Sequence, residues 1–371
     1  MGKQAVLLLA HGTPETVEQI PEYLRNVVSG RPVPQAVVEE IQHRYALIGR
    51  SPLTEITYAQ ARLVEAELNG GEEASSASHP SDKDKGVARV GHPTETGERV
   101  PVYVGMRNWR PYIPDVVRQM RADGVEEAAV ICMAPQNSRT SVGLYRRAVE
   151  AEAGGLRIDF TAGWADHPLL AEAFAERLRP ALAKLSAEVG DAVPVLFTAH
   201  SVPTRTVEAA EARMESASHP SDKDKGVAPG PEGTPRPLGR PQPRLWPGEG
   251  ADPYAKDARR TAEMVAERVP EIVHWEFAFQ SQGASGGPWL GPSVEETLNR
   301  LAGEGVKALV LQPIGFLCDH VEILYDVDIL FREYGIERSI RVERPKSLNE
   351  SATLGRAIAD LARKGLVRLG L

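Results

Sequence analysis

The sequence predicts an α/β protein of two similar doubly wound domains, each a four-stranded parallel sheet flanked by helices, with the active site in the interdomain cleft. Three observations lead there. Short apolar runs alternate with helical patterns of about 10–20 residues, as βαβ units around a parallel sheet require. The runs form two sets of four, at 5–10, 100–104, 128–134 and 158–162, then at 193–198, 273–279, 308–313 and 340–342. A chain of 371 residues, at roughly 150 residues per domain, has room for both sets. The domains are expected at 1–165 and 166–371. Ligands of such folds sit beyond the carboxyl ends of the strands, so the residues that follow each run carry the functional argument.

The first run is too short for the core of a signal peptide and reads as strand one. It leads into His11-Gly12-Thr13-Pro14, where Thr13 is expected to cap a helix starting at Pro14. An identical 13-residue stretch stands at 76–88 and again at 216–228. One pair of copies is no solenoid period, and the stretch lacks the apolar residues to stack. Residues 216–251 also carry eight prolines and six glycines, too many breakers for a helix or a central strand. We therefore expect 71–99 and 216–251 to be exposed inserts, one in each domain. The fifth run ends in Thr198-Ala199-His200-Ser201-Val202-Pro203 and the sixth in Phe279-Gln280-Ser281. The seventh leads through Gly315-Phe316 to a helix carrying Glu322 and Asp326. The closing segment 354–371 is basic and amphipathic, which suits packing on the first domain better than peripheral contact with a membrane.

Composition excludes several function classes. Lys+Arg of 43 against Asp+Glu of 51 leaves a net charge of -8, so no basic surface for nucleic acid is expected. No span approaches the roughly 20 apolar residues of a membrane helix. Cys132 and Cys318 both lie in apolar runs, and two thiols fall short of the four ligands of an ordinary iron–sulfur cluster or zinc ribbon. They read as reduced core residues of a cytoplasmic protein. Phosphate-loop, dinucleotide-binding and nucleophile-elbow motifs are missing from their places after the strands, so no organic cofactor is expected.

The residues that remain are two histidines after strands, His11 and His200, and the carboxylates Glu322 and Asp326 four apart on one helix face. Imidazole and carboxylate together suit a divalent ion such as Fe²⁺. A bland reading stands beside this one. Asp319-x-x-Glu322 has the form of a capping box, in which Glu322 only satisfies the helix start. Each histidine is equally a polar residue ending a strand, and His320 reads as a hydrogen-bonded structural residue.

The motifs Ala10-His11-Gly12-Thr13-Pro14, Tyr103-Val104-Gly105-Met106-Arg107, Ala199-His200-Ser201-Val202-Pro203, Pro288-Trp289-Leu290-Gly291-Pro292 and Gly315-Phe316-Leu317-Cys318-Asp319-His320-Val321-Glu322 occur in this order. Through them the chain resembles the ferrochelatases, which insert ferrous iron into a porphyrin in heme synthesis, over nearly its whole length outside the inserts. The resemblance implies a chelatase-like fold, porphyrin and Fe²⁺ as substrates, and His200 and Glu322 as the catalytic pair and metal contacts. It implies Asp326 as part of an acidic path for the metal, although the next acidic position of that path is Leu330 here. Arg44, Tyr45, Ser51 and Tyr145 match positions lining the porphyrin. His11 stands where many bacterial relatives carry a tyrosine, which makes it a candidate axial ligand of product heme as well as a porphyrin contact. Gln136 stands where several carry a histidine. Coproporphyrin III is slightly favoured over protoporphyrin IX. The competing readings are a cobalt or nickel chelatase for another tetrapyrrole and a non-catalytic porphyrin or heme carrier.

Overall fold

The computed structural model describes residues 2–370 except 71–88, 91–98, 139–140, 205–251 and 283–287. The duplicated stretches, and with them His79 and His219, lie outside the described residues. The first domain contains β1 (Gln4–Ala10), α1 (Ile20–Val27), α2 (Gln35–Ile48), α3 (Leu53–Leu68), β2 (Arg89–Val90), β3 (Val102–Met106), α4 (Ile113–Ala122), β4 (Glu127–Cys132), α5 (Val142–Glu150) and β5 (Arg157–Thr161). The second contains α6 (Pro168–Val189), β6 (Val195–His200), α7 (Tyr254–Arg268), β7 (Trp275–Gln280), α8 (Val294–Gly303), β8 (Ala308–Pro313), a π-helix (Glu322–Phe331), α9 (Arg332–Glu337), β9 (Arg341–Glu343) and α10 (Ala352–Gly370).

The sheets have the orders β2-β3-β1-β4-β5 and β7-β6-β8-β9. All eight strands expected from the sequence are present and pair in parallel. Their continuous apolar character follows from burial on both faces: Ala5 to Ala10, Val102 to Met106 and Ala308 to Pro313 are buried without alternation. The first sheet gains one strand that was not expected. Within the stretch 71–99, read as an irregular insert, Arg89 and Val90 pair antiparallel with Tyr103 and Val102 at the sheet edge.

In each sheet the first strand lies between the two parallel strands that follow it, β1 between β3 and β4 and β6 between β7 and β8, so the crossover direction reverses there. That reversal opens a crevice beyond the carboxyl ends of β1 and β6, and these are the ends that carry His11 and His200. The two domains are joined through one core, which includes Val6 and Leu8 of β1 together with Val195 and Phe197 of β6. The last helix crosses back, packing on α3, β4 and β5 of the first domain. A Cβ at Gly365 would stand 2.9 Å from Ala129 Cβ, so the glycine permits this close approach. The same helix also packs on α6 of the second domain, so it bridges the two.

The turn after β1 also departs from expectation. Thr13 caps no helix: the helical path begins at Val17 and continues into α1 at Ile20. Glu15 and Thr16 donate their N–H groups to Gln19 Oε1 at 2.8 and 3.3 Å. Gly12 delays the helix, because it sits at φ +77° with Met106 Cβ 2.8 Å from where its own Cβ would be. Gly12→Ala is expected to destabilise the protein by about 1–3 kcal/mol, readable as a lower midpoint in urea unfolding.

Candidate active site

A cavity of about 320 Å³ lies beyond the carboxyl ends of both sheets, lined by His11, Tyr23, Arg107 and Tyr145 from the first domain and by His200, Tyr254, Phe316 and Glu322 from the second. A second recess of about 620 Å³ runs along a different face of α7, where Lys256 and Arg260 alternate with Asp257 and Glu263. It holds neither of the strand-end histidines, and its charges oppose one another. The chemistry therefore belongs to the smaller cavity.

His200 is the last residue of β6, and its Nδ1 contacts the Ser201 carbonyl. That contact assigns the proton to Nδ1 and leaves Nε2 as the basic nitrogen. Nε2 stands 3.6 Å from Glu322 Oε1, with each side chain 33% exposed. Both line the cavity, so this exposure opens into the cleft. At this distance the pair is an ion pair or proton relay rather than a hydrogen bond. Burial pushes the His200 imidazole down, but Glu322, the Ser201 carbonyl and Asp326 together outweigh it and raise it. Burial likewise raises the Glu322 carboxyl, but His200, with His320 and His11 behind it, brings it down to about 2. A single proton on the pair therefore sits on the imidazole rather than on the carboxylate, and it is lost as the pH rises through the raised imidazole value. Phe316 meets the His200 ring edge-on at 6.3 Å and limits its rotation.

His11 reaches the cavity from β1. Its Nε2 is 2.9 Å from the Tyr23 hydroxyl, and Asn108 Nδ2 approaches the same ring at 3.1 Å. Burial, with Arg107 adding to it, pushes this imidazole down to about 3, so it is neutral and keeps a lone pair. Tyr23 and Asn108 escaped sequence reasoning because they come from a helix and a loop with no motif of their own. Tyr254, at the start of α7, was missed for the same reason; it lines the same cavity. One internal signal does link the two histidines. Ala-His-x-x-Pro recurs at 10–14 and 199–203, at the end of the first strand of each domain.

The other expected site residues divide. Tyr145 lines the cavity beneath the Arg107 guanidinium, 5.3 Å from its ring centroid. Arg44, Tyr45 and Ser51 do not line it. Tyr45 is buried in the cluster that includes Tyr23 and Trp109. Its hydroxyl is buried beside that of Ser51. Arg44 instead donates to Asp326 Oδ1 at 3.0 Å and stacks on Tyr325. Asp326 also takes a close hydrogen bond from Ser281 Oγ, and burial pushes its carboxyl up to about 6. Both of its carboxylate oxygens are thus engaged in this structure. Among the described residues no three His, Cys, Asp or Glu side chains converge as a metal cage. A pair such as His200 and Glu322 leaves most coordination positions free, as a metal in transit requires.

The capping-box reading of Asp319 and Glu322 is overturned. The Glu322 N–H donates to His320 Nδ1 at 3.1 Å, and the Asp319 N–H donates to Asn349 Oδ1 at 2.8 Å. Glu322 is thereby free to point its carboxylate at His200. Gln136 is buried between the domains, donating to Thr261 Oγ1 and the Ile314 carbonyl at 3.2 and 3.1 Å. It acts as an interdomain tie.

The family model for ferrochelatase matches residues 3–82 and 87–366. The chain belongs to the ferrochelatase family. It is 51% identical over 368 residues to a ferrochelatase of Acidobacterium capsulatum, covering 99% of this chain and 96% of that one. A ferrochelatase of Herpetosiphon aurantiacus is 33% identical over 354 residues, covering 94% of each chain. A coproporphyrin III ferrochelatase of Nocardia farcinica is 31% identical over 373 residues, covering 99% of this chain and 89% of that one. Within this ferrochelatase, Cys132 and Cys318 are both buried and free, and burial pushes each thiol up to about 12. No helix among the described residues is long and apolar enough to cross a membrane.

Proposed function

We propose that the cleft between β1 and β6 is where this ferrochelatase inserts Fe²⁺ into a free-base porphyrin. The observation that carries the proposal is the His200–Glu322 pair at 3.6 Å on the cavity wall. Insertion replaces two pyrrole N–H bonds by Fe–N bonds, with no change in iron oxidation state, so two protons must leave. Neutral His200 Nε2 accepts them one at a time, releasing the first to water in the cleft before taking the second, and Glu322 stabilises the imidazolium that forms each time. The same carboxylate exchanges for water on the arriving Fe²⁺ without supplying enough ligands to retain it. Apolar walls from Phe316, Leu317 and Val202 hold the ring, offsetting the strain of bending it toward the metal.

His11, neutral and backed by Tyr23, is the axial ligand of product heme in this reading. His11→Ala is expected to shift the absorption spectrum of the bound iron porphyrin; an identical spectrum would remove His11 from that role. Neither an organic cofactor nor an iron–sulfur cluster enters the reaction, and we place it in the cytoplasm, where the two thiols stay reduced.

Coproporphyrin III is the favoured substrate, supported by the His11-Gly12-Thr13-Pro14 motif and by the names of several relatives. The test is an anaerobic assay of Fe²⁺ with coproporphyrin III and with protoporphyrin IX, following loss of free-base fluorescence. A higher kcat/KM for the tetracarboxylate supports the choice, and the opposite ranking reverses it. Stoichiometric binding of both without turnover would make the protein a carrier.

A further inference from the structure

One side chain grips the polypeptide on both sides of Glu322. Arg344 follows β9, and its side chain is only 10% exposed. Its Nε and Nη2 donate to Asp328 Oδ1 and Oδ2 at 2.8 and 2.6 Å. Its Nη1 donates to Asp319 Oδ1, Ser347 Oγ and the Pro345 carbonyl at 3.1, 3.0 and 3.2 Å. Asp319 stands three residues before Glu322 and Asp328 six after it. The guanidinium therefore bridges the approach to the π-helix and its middle.

Asp319 is held further. Ser347 Oγ and Asn349 Nδ2 donate to its carboxylate at 2.6 and 2.8 Å. Asn349, at φ +43°, donates its N–H to the Leu317 carbonyl at 3.0 Å and accepts from Gln60 Nε2 of α3 at 2.9 Å. The network thus ties the Leu317–Glu322 approach to the first domain as well.

A π-helix needs support of this kind. Its i→i+5 turns are wide and occur mostly as single insertions at functional sites, whereas this one runs from Glu322 to Phe331. Contacts that fix its approach and its middle hold the register of the turn that presents Glu322. We propose that Arg344 is a positioning residue for iron insertion, holding Asp319 and Asp328 so that the Glu322 carboxylate faces His200. The proposal rests on the reading of His200 and Glu322 as the reacting pair. It also assigns the two aspartates away from iron: both oxygens of Asp328 lie on the guanidinium, and Asp319 receives three side-chain donors. Lysine cannot reproduce the two-pronged contact, since its ammonium is a point charge on a flexible stem.

The test is anaerobic steady-state kinetics on wild type, Arg344→Lys and Asp328→Asn, with porphyrin affinity measured separately by fluorescence titration. In both variants kcat is expected to fall about tenfold or more, as a misplaced catalytic group would cause. The KM for Fe²⁺ should stay within about twofold and the porphyrin Kd within about threefold. Asp328→Asn answers the question if Arg344→Lys does not fold. An unchanged kcat in variants that bind porphyrin overturns the proposal. So does a rise in the KM for Fe²⁺ at unchanged kcat, which would make the aspartates iron ligands. Parallel loss of porphyrin binding and kcat overturns it too, by making the clamp general support for the cavity. A wild type that binds porphyrin yet turns over no Fe²⁺ would instead defeat the reading of the site itself.

Discussion

His200→Ala lowers kcat about 10²–10⁴-fold, the range that a positioned proton acceptor contributes, while porphyrin still binds. His200 Nδ1 is committed to the Ser201 carbonyl, so Nε2 alone faces the cavity with a lone pair, and alanine removes the group without altering β6. The remaining lining, with Phe316, Leu317 and Tyr145, still provides the apolar and aromatic surface that holds a macrocycle. Steady-state kinetics with a parallel fluorescence titration separates the two effects. Near-wild-type kcat would place the proton acceptor elsewhere, and loss of porphyrin binding would make His200 a packing residue.

Glu322→Gln lowers kcat by about 10²-fold, comparable to removing one preorganised electrostatic partner of a transition state. It also moves the pH profile, and the sign is fixed by the site. Catalysis needs neutral His200, so the rate rises with pH through the value at which this imidazole loses its proton. In the wild type burial lowers that value, but Glu322 leads the groups that raise it above the ordinary histidine value. The amide carries no charge, so burial dominates in the variant and the acid limb shifts to lower pH. A full pH–rate profile of both proteins reads this directly. An acid limb that stays in place, or moves upward, would show that His200 does not sense Glu322 during turnover.

The fold was legible because parallel strands buried on both faces leave continuous apolar runs, such as Ala5 to Ala10. The short edge strand at Arg89 and Val90 was not, since two residues paired on one side leave no periodic signal. Helix chemistry misled in two places. Thr13 before Pro14 has the form of a cap, but the left-handed Gly12 carries the chain along the cavity first. Asp319-x-x-Glu322 has the form of a capping box, but Asp319 is held by Arg344, Ser347 and Asn349, three residues distant in sequence. Nothing in the composition of Glu322–Phe331 distinguishes a π-helix from an α-helix.

The site was half legible. His11, His200 and Glu322 meet at one cavity, as residues following the ends of central strands should. Arg44 and Asp326 were expected as separate porphyrin and metal contacts, but opposite charges on α2 and the π-helix satisfy one another across the domains. Tyr45 fills the space between α1 and α2, a packing role that a motif match does not reveal.

The most direct test of the account is the structure of the protein with a free-base porphyrin bound. The ring is expected in the cleft between His11 and His200, with His200 Nε2 within about 3 Å of a pyrrole nitrogen or linked to it by one water. A porphyrin seated in the recess beside Lys256 and Arg260, or one in the cleft with His200 turned away from the pyrrole nitrogens, would contradict it.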